Sequence, residues 1–167
     1  METQLPTFLA DALSWLERTS FGETVRMVPR LYPVLMSLHV LGIALLVGPA
    51  FAVDLRLLGV GRRMVPVTLV ARCLLPLSHV GFAIVLITGL TMFTAIALTA
   101  GASAAAPWKL GLIALACINI LVFHQGIYRS VASWDLDAPT PLAAKVAAMV
   151  SAASWAGTIF AGRFLAY

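Results

Sequence analysis

The chain has 167 residues, 61% of them hydrophobic and only 11% charged, with a mean hydropathy of +0.98. Water-soluble domains carry roughly a quarter charged residues, so the composition excludes a soluble globule and points to an integral membrane protein. The net charge of +4 is no nucleic-acid signature, because the basic residues gather at the ends of apolar runs, where they mark the membrane surface.

The first stretch, METQLPTFLADALSWLERTS, is acidic and lacks both a basic leader and a continuous apolar core, so no cleavable signal peptide is expected. Leu5, Phe8, Leu9, Ala12, Leu13 and Leu16 recur at helical spacing, with Asp11, Glu17 and Arg18 off that face. This pattern predicts an amphipathic interfacial segment over residues 1–30, or a cap packed under the bundle. Residues 31–167 then form one transmembrane domain.

Four runs each supply the ~20 apolar residues that a span requires: about Leu31 to Val53, Leu74 to Leu98, Trp108 to Tyr128 and Leu142 to Leu165. DLRLLGVGRRMVP closes the first, LTAGASAAAPW reads as a small-residue turn before the third, and SWDLDAPTP separates the third from the fourth. Short connections between apolar helices predict an all-α fold, an integral membrane antiparallel four-helix bundle. The two sides carry six and five basic residues. Four of the six, Arg56, Arg62, Arg63 and Arg72, crowd the first loop, which favours a cytoplasmic first loop and periplasmic termini. Cys73 and Cys117 lie in apolar segments and are expected to be free thiols rather than a disulfide.

The chemistry-bearing oddity is histidine. His39, His79 and His124 are the only three, and each sits in a different apolar run. An ionisable group within the bilayer costs a few kcal/mol and is a functional hypothesis by default. The plain alternative is three neutral rings bonded to nearby carbonyls or hydroxyls. At ~1.5 Å per residue, His79 lies ~10 Å and His124 ~8 Å below one face, and His39 ~14 Å below the other. The first two are therefore nearly level, and no pair is excluded.

A porphyrin suits this set. It needs neutral imidazoles, an apolar envelope and cations for its propionates. Arg72, seven residues before His79 on its face, and the Arg62–Arg63 pair are the candidate propionate partners. Gly42, three residues after His39, would let a flat ring approach, or would serve close helix packing. Asp54 stands among arginines and is expected to pair with one. Asn119 is expected to bond across the bundle, and Trp108 and Trp134 to anchor at the interface.

The segments WLERTSFG, LYPVLMSLHVLGIALLVG, DLRLLG, GFAIVLITGL, NILVFHQGIYRSVASWD and AGRFLAY together resemble an uncharacterised bacterial family of small four-span membrane proteins, a domain of unknown function (DUF6644-like). The resemblance covers almost the whole chain. It implies that the positions of His39 and His124 are characteristic. It also implies that position 79 is usually not histidine and that position 36, Met36 here, is often acidic. His39 with His124 is thereby favoured as the ligand pair, with His79 as a second-site or substitute ligand. The first span also resembles, more distantly, those of CopD-type copper-resistance proteins and of the HemJ-type protoporphyrinogen oxidase. In the latter a first-span histidine and a lysine opening a later span matter, and His39 and Lys109 are the matching positions.

These observations predict a small b-type cytochrome of the bacterial inner membrane. It would carry haem b and pass electrons between the quinone pool and a redox partner protein, with no nucleic-acid partner. The alternatives are a HemJ-like oxidase requiring Lys109, a CopD-like copper path lined by histidines, Met36 and Cys117, and a non-catalytic accessory subunit. The Ala144–Ala148 and Ala152–Ala156 pairs permit tight helix contacts within one subunit or in a homo-oligomer.

Overall fold

A computed structural model describes residues 5–164. The beginning of the predicted interfacial segment and the end of the fourth span, at Leu165, lie outside the described residues. The described chain is helical throughout, with four helices long and apolar enough to cross a bilayer. The elements are α1 (Thr7–Glu17), α2 (Ser20–Met27), α3 (Leu31–Leu58), α4 (Val67–Ala95), α5 (Ala97–Ala102), α6 (Ala105–Gln125), a 3-10 helix (Ile127–Ser133) and α7 (Leu142–Phe164).

The predicted interfacial helix is two helices. α1 stops after Glu17, and the Thr19 hydroxyl accepts the Gly22 N–H to cap α2. Phe8 and Trp15, one heptad apart on α1, are exposed, as expected of a lipid-facing stripe, while Leu13 packs against Gly101 of α5. The turn expected around LTAGAS is instead the short helix α5. Its alanines favour helix, and the Glu17 carboxylate accepts the Leu98 N–H at 2.7 Å, supplying a partner for its first turn. α1, α2 and α5 thus close one end of the spans.

The spans differ from the predicted ones at their ends. α3 continues through DLRLL and stops at Gly59, whose φ of 113° lets the chain turn off the helix. α4 begins at Val67, not Leu74. Its first turns lie outside the predicted span, yet the N–H and hydroxyl of Thr68 donate to the Asp135 carboxylate at 2.8 and 2.7 Å and hold the start of the helix. α6 ends at Gln125, and Tyr128 belongs to the 3-10 helix. At 28 residues, α3 is ~42 Å long against a hydrocarbon core of ~30 Å. It tilts or projects, and its last turns stand at the bilayer face.

At that face Arg56, only 3% exposed, ties both loops together. It donates to the carbonyls of Val65 at 2.6 Å and Asp135 at 2.8 Å. Trp134 does not anchor at the interface as expected. It is buried in a cluster with Leu57, Val67 and Phe123, where its indole N–H donates to Ser130. Trp108 is exposed at the start of α6.

The spans pack in the order α4–α3–α7–α6. α3 and α4 share the most extensive seam, α7 lies against both α3 and α6, and among the described residues no packing seam joins α4 to α6. The bundle is therefore open along one side. The α3–α4 seam depends on Gly42 and Gly81. A Cβ on Gly81 would lie 2.8 Å from the Gly42 carbonyl oxygen and would collide with the backbone of Leu45 and Leu46. One on Gly42 would meet the Ile84 side chain at 2.8 Å. The Ser78 hydroxyl donates to the Leu46 carbonyl across the same crossing. On the other seams, Ala144 and Ala148 are fully buried within the subunit, and Asn119 donates to the Ala147 carbonyl, the expected bond across the bundle.

Gly81→Ala is expected to lower stability in detergent by about 1–3 kcal/mol through overpacking. Gly111→Ala, where nothing lies within 4 Å of the added carbon, is expected to gain about 0.5–1 kcal/mol from helix propensity. Thermal unfolding of both variants checks the pair, and equal midpoints would show that the α3–α4 seam is loose.

Candidate functional site

The opening between α4 and α6 leads into a mostly apolar cavity of about 360 Å³, within the roughly 300–1,000 Å³ of small-molecule sites. Its polar lining is sparse and comes from all four spans and the 3-10 helix. Asp54 comes from α3, Ser78 and His79 from α4, Asn119 and His124 from α6, and Ser151 from α7, with Tyr128 beyond α6. Trp155 forms part of the apolar wall. His79 and His124, the pair that depth places nearly level, thus share one cavity.

The His124 ring is oriented by its own helix. Nδ1 lies 2.9 Å from the Ile120 carbonyl. A carbonyl only accepts, so Nδ1 carries the proton and Nε2 keeps its lone pair. That is the tautomer that ligates a metal, with its other nitrogen committed to a backbone oxygen. Phe123 and Tyr128 pack around the ring at centroid distances of 5.3 and 5.2 Å. His79 is exposed on the open side of α4 and makes no hydrogen bond among the described residues.

His39 stands elsewhere. Its Nδ1 lies 2.8 Å from the Thr88 hydroxyl, which donates its own proton to the Ile84 carbonyl at 2.6 Å. Thr88 therefore accepts from His39, and Nε2 again keeps its lone pair. Gly89 leaves room for the ring, since a Cβ there would lie 3.0 Å from Cε1. Thr88 is nine residues from His79 along α4, a rise of ~13 Å. The structure accordingly brings His124 together with His79 and not with His39. The ammonium of Lys109, on α6, is within electrostatic reach of His39.

The remaining predicted site residues separate in the same way. Gly42 does not face the cavity, because Ile84 and Val85 of α4 fill the space beside it, and it serves helix packing. Arg62 and Arg63 line a different crevice, on the α3–α4 loop. Arg72 is exposed on α4, two turns before His79, and does not line the cavity. Cys117 lines the cavity, and both cysteines are free thiols. Among the described residues no group of three or more His, Cys, Asp or Glu side chains is placed to hold a metal ion.

Asp54 is the site residue that the sequence reading misplaces. It pairs with no arginine among the described residues, and Arg56 is spent on backbone carbonyls. Asp54 is 6% exposed and turned into the cavity, with Oδ2 lacking any hydrogen-bond partner and the Ser151 hydroxyl facing the carboxylate. A signal was present in the chain. Leu46, Ala50, Val53, Asp54 and Leu57, all in the cavity wall, recur at helical spacing on one face of α3.

The donor set fits a tetrapyrrole in part. Two imidazoles, at least one presenting Nε2, line an apolar, laterally open cavity, whereas Arg72 is not among its lining residues. The orphaned Asp54 oxygen is a polar group that an apolar ring leaves unsatisfied.

Fold and site together define a polytopic α-helical membrane protein with a laterally open, histidine-lined cavity. The chain belongs to the DUF6644 family, a family of unknown function, whose model matches residues 13–167. No curated protein and no solved structure matches it.

A carboxylate with an unpartnered oxygen in an apolar cavity is held against its desolvation cost. Asp54→Asn is therefore expected to raise unfolding stability by about 1 kcal/mol, read as a higher thermal midpoint in detergent. A lower midpoint would mean that the carboxylate makes stabilising contacts.

Proposed function

We propose that the protein is a small b-type cytochrome of the bacterial inner membrane, with His79 and His124 as the haem ligands and His39 outside that centre. One observation carries the reading. His124 presents Nε2, fixed by the Nδ1 bond to Ile120, in the wall of an apolar cavity that also holds His79. When bound, haem b would supply one-electron chemistry. The chain's own part is to hold and shield it. Ile120 sets the His124 tautomer, Phe123 and Trp155 exclude water, and Arg72 offers charge for a propionate. The opening between α4 and α6 faces the acyl chains, which suits electron exchange with quinone in the bilayer and leaves the loop faces for a redox partner protein. The basic residues of the first loop favour placing that end in the cytoplasm.

A second reading has its own observation. Lys109 and His39 lie within electrostatic reach of each other, at the positions that resemble the HemJ-type oxidase. A porphyrinogen oxidase would use that level of the membrane, at the far end of α4 from the cavity. No observation favours a copper path.

Protein expressed in haem-replete cells and purified in mild detergent is expected to show a Soret band and reduced-minus-oxidised α and β bands. His124→Ala and His79→Ala should each remove most of the bound haem, and His39→Ala should leave it in place. Loss of the spectrum in His39→Ala alone would move the cofactor to the Lys109 level, and no Soret band in any preparation would overturn the haem reading. Loss of porphyrinogen turnover in Lys109→Ala, with haem retained, would favour the oxidase.

A further inference from the structure

The α3–α4 loop and the start of α7 enclose an open crevice of about 600 Å³ that the haem reading does not use. Its wall carries three cations, Arg62, Arg63 and Lys145, and no acidic side chain. None of the three makes a side-chain hydrogen bond or ion pair among the described residues. The loop itself is held without them. The Arg62 carbonyl accepts from the Asp137 N–H and from Arg56, which leaves the Arg62 guanidinium uncommitted.

Charge alone would mark no more than a membrane-facing loop. The second observation is Thr140. It lines the crevice, is 5% exposed, and its hydroxyl has no hydrogen-bond partner. A buried hydroxyl without a partner is unfavourable, and here it stands beside three cations and just before the N-terminus of α7, where the helix dipole favours an anion. The rim of the crevice is apolar and exposed, with Val60 at 61% and Met64 at 83%. Cations below and bare aliphatic groups beside them match the bilayer interface, where a phosphate adjoins acyl chains.

We propose that this crevice is a binding site for the phosphodiester of an anionic phospholipid. Arg62, Arg63 and Lys145 would neutralise the phosphate, the Thr140 hydroxyl would donate to one of its oxygens, and Val60 and Met64 would lie against the acyl chains. No histidine takes part, so the site stands or falls independently of the haem.

The full-length protein in detergent is titrated with short-chain phosphatidylglycerol, short-chain phosphatidylcholine and inorganic phosphate, with binding read by native mass spectrometry. Phosphatidylglycerol is expected to bind at least tenfold more tightly than the other two. Thr140→Val and the double variant Arg62→Ala/Arg63→Ala should each weaken that binding roughly tenfold, the loss of one charge-assisted hydrogen bond or more. Helical content and thermal midpoint serve as the folding control, and Lys145→Gln is the substitute should the double variant misfold. Inorganic phosphate binding as tightly as the lipid would overturn the lipid assignment in favour of a soluble phosphate. Wild-type binding by Thr140→Val, with binding lost in the arginine variant, would reduce the site to diffuse surface attraction and overturn it.

Discussion

The backbone contact between α3 and α4 at Gly42 and Gly81 sets the shape of the molecule. In lipid there is no hydrophobic force between helices, so the closest backbone approach decides which helices pair. Two glycines facing each other let these backbones nearly touch, and the Ser78–Leu46 hydrogen bond fixes the rotation of one helix on the other. α4 packs chiefly on α3, and its His79 side borders the cavity without a seam to α6 among the described residues. α7, with Ala144 and Ala148 buried, fills the place between α3 and α6. A row with an unclosed side follows, and the histidine-lined cavity is that unclosed side.

The two ends are held by polar ties that the hydrocarbon interior does not offer. At one, Arg56 and Asp135 satisfy the backbone of both loops and the first turn of α4, so the helix starts two turns before the predicted span. At the other, Glu17 reaches from α1 to the first turn of α5. With both ends fixed and one long seam locked, the spans have little freedom to close over the cavity. The gap is thus a consequence of where the hydrogen bonds and glycines lie.

The sequence makes the four spans, their order and the single apolar domain legible, because length and hydropathy decide those. It does not make the rotational setting of each span legible. Lipid-facing and packed faces are both apolar, so an inward histidine and a lipid-facing one look alike in the string. This is why Gly42 reads equally well as a ring cradle and as a packing residue, and only its contact with Ile84 decides. Trp134 resembles an interfacial anchor because it sits beside Asp135, yet Asp135 folds back to cap α4 and carries the indole inward. Asp54 resembles an ion-pair partner because arginines follow it, but Arg56 points one way along the helix and Asp54 another. Helix termini err for the same reason: their partners are far off in sequence, 67 residues away in the case of Thr68 and Asp135.

Three histidines on three helices invite the inference that all meet at one centre, and helix rise argues against it. α3 and α6 both run away from the face that α1, α2 and α5 close, so a residue near the start of one and a residue at the end of the other stand at different depths. His39, eight residues into α3 and level with Thr88, belongs near that closed end with Lys109. His124, in the last turn of α6, belongs near the opposite end with His79 and Asp54. Residue type alone merges these into one site, whereas geometry makes them two polar levels about 13 Å apart along a single opening. The cavity belongs to the second level and not to the first. The carboxylate of Asp54, with one oxygen unpartnered, also lies at the second level, and there the chain has both a space to fill and an unmet polar demand.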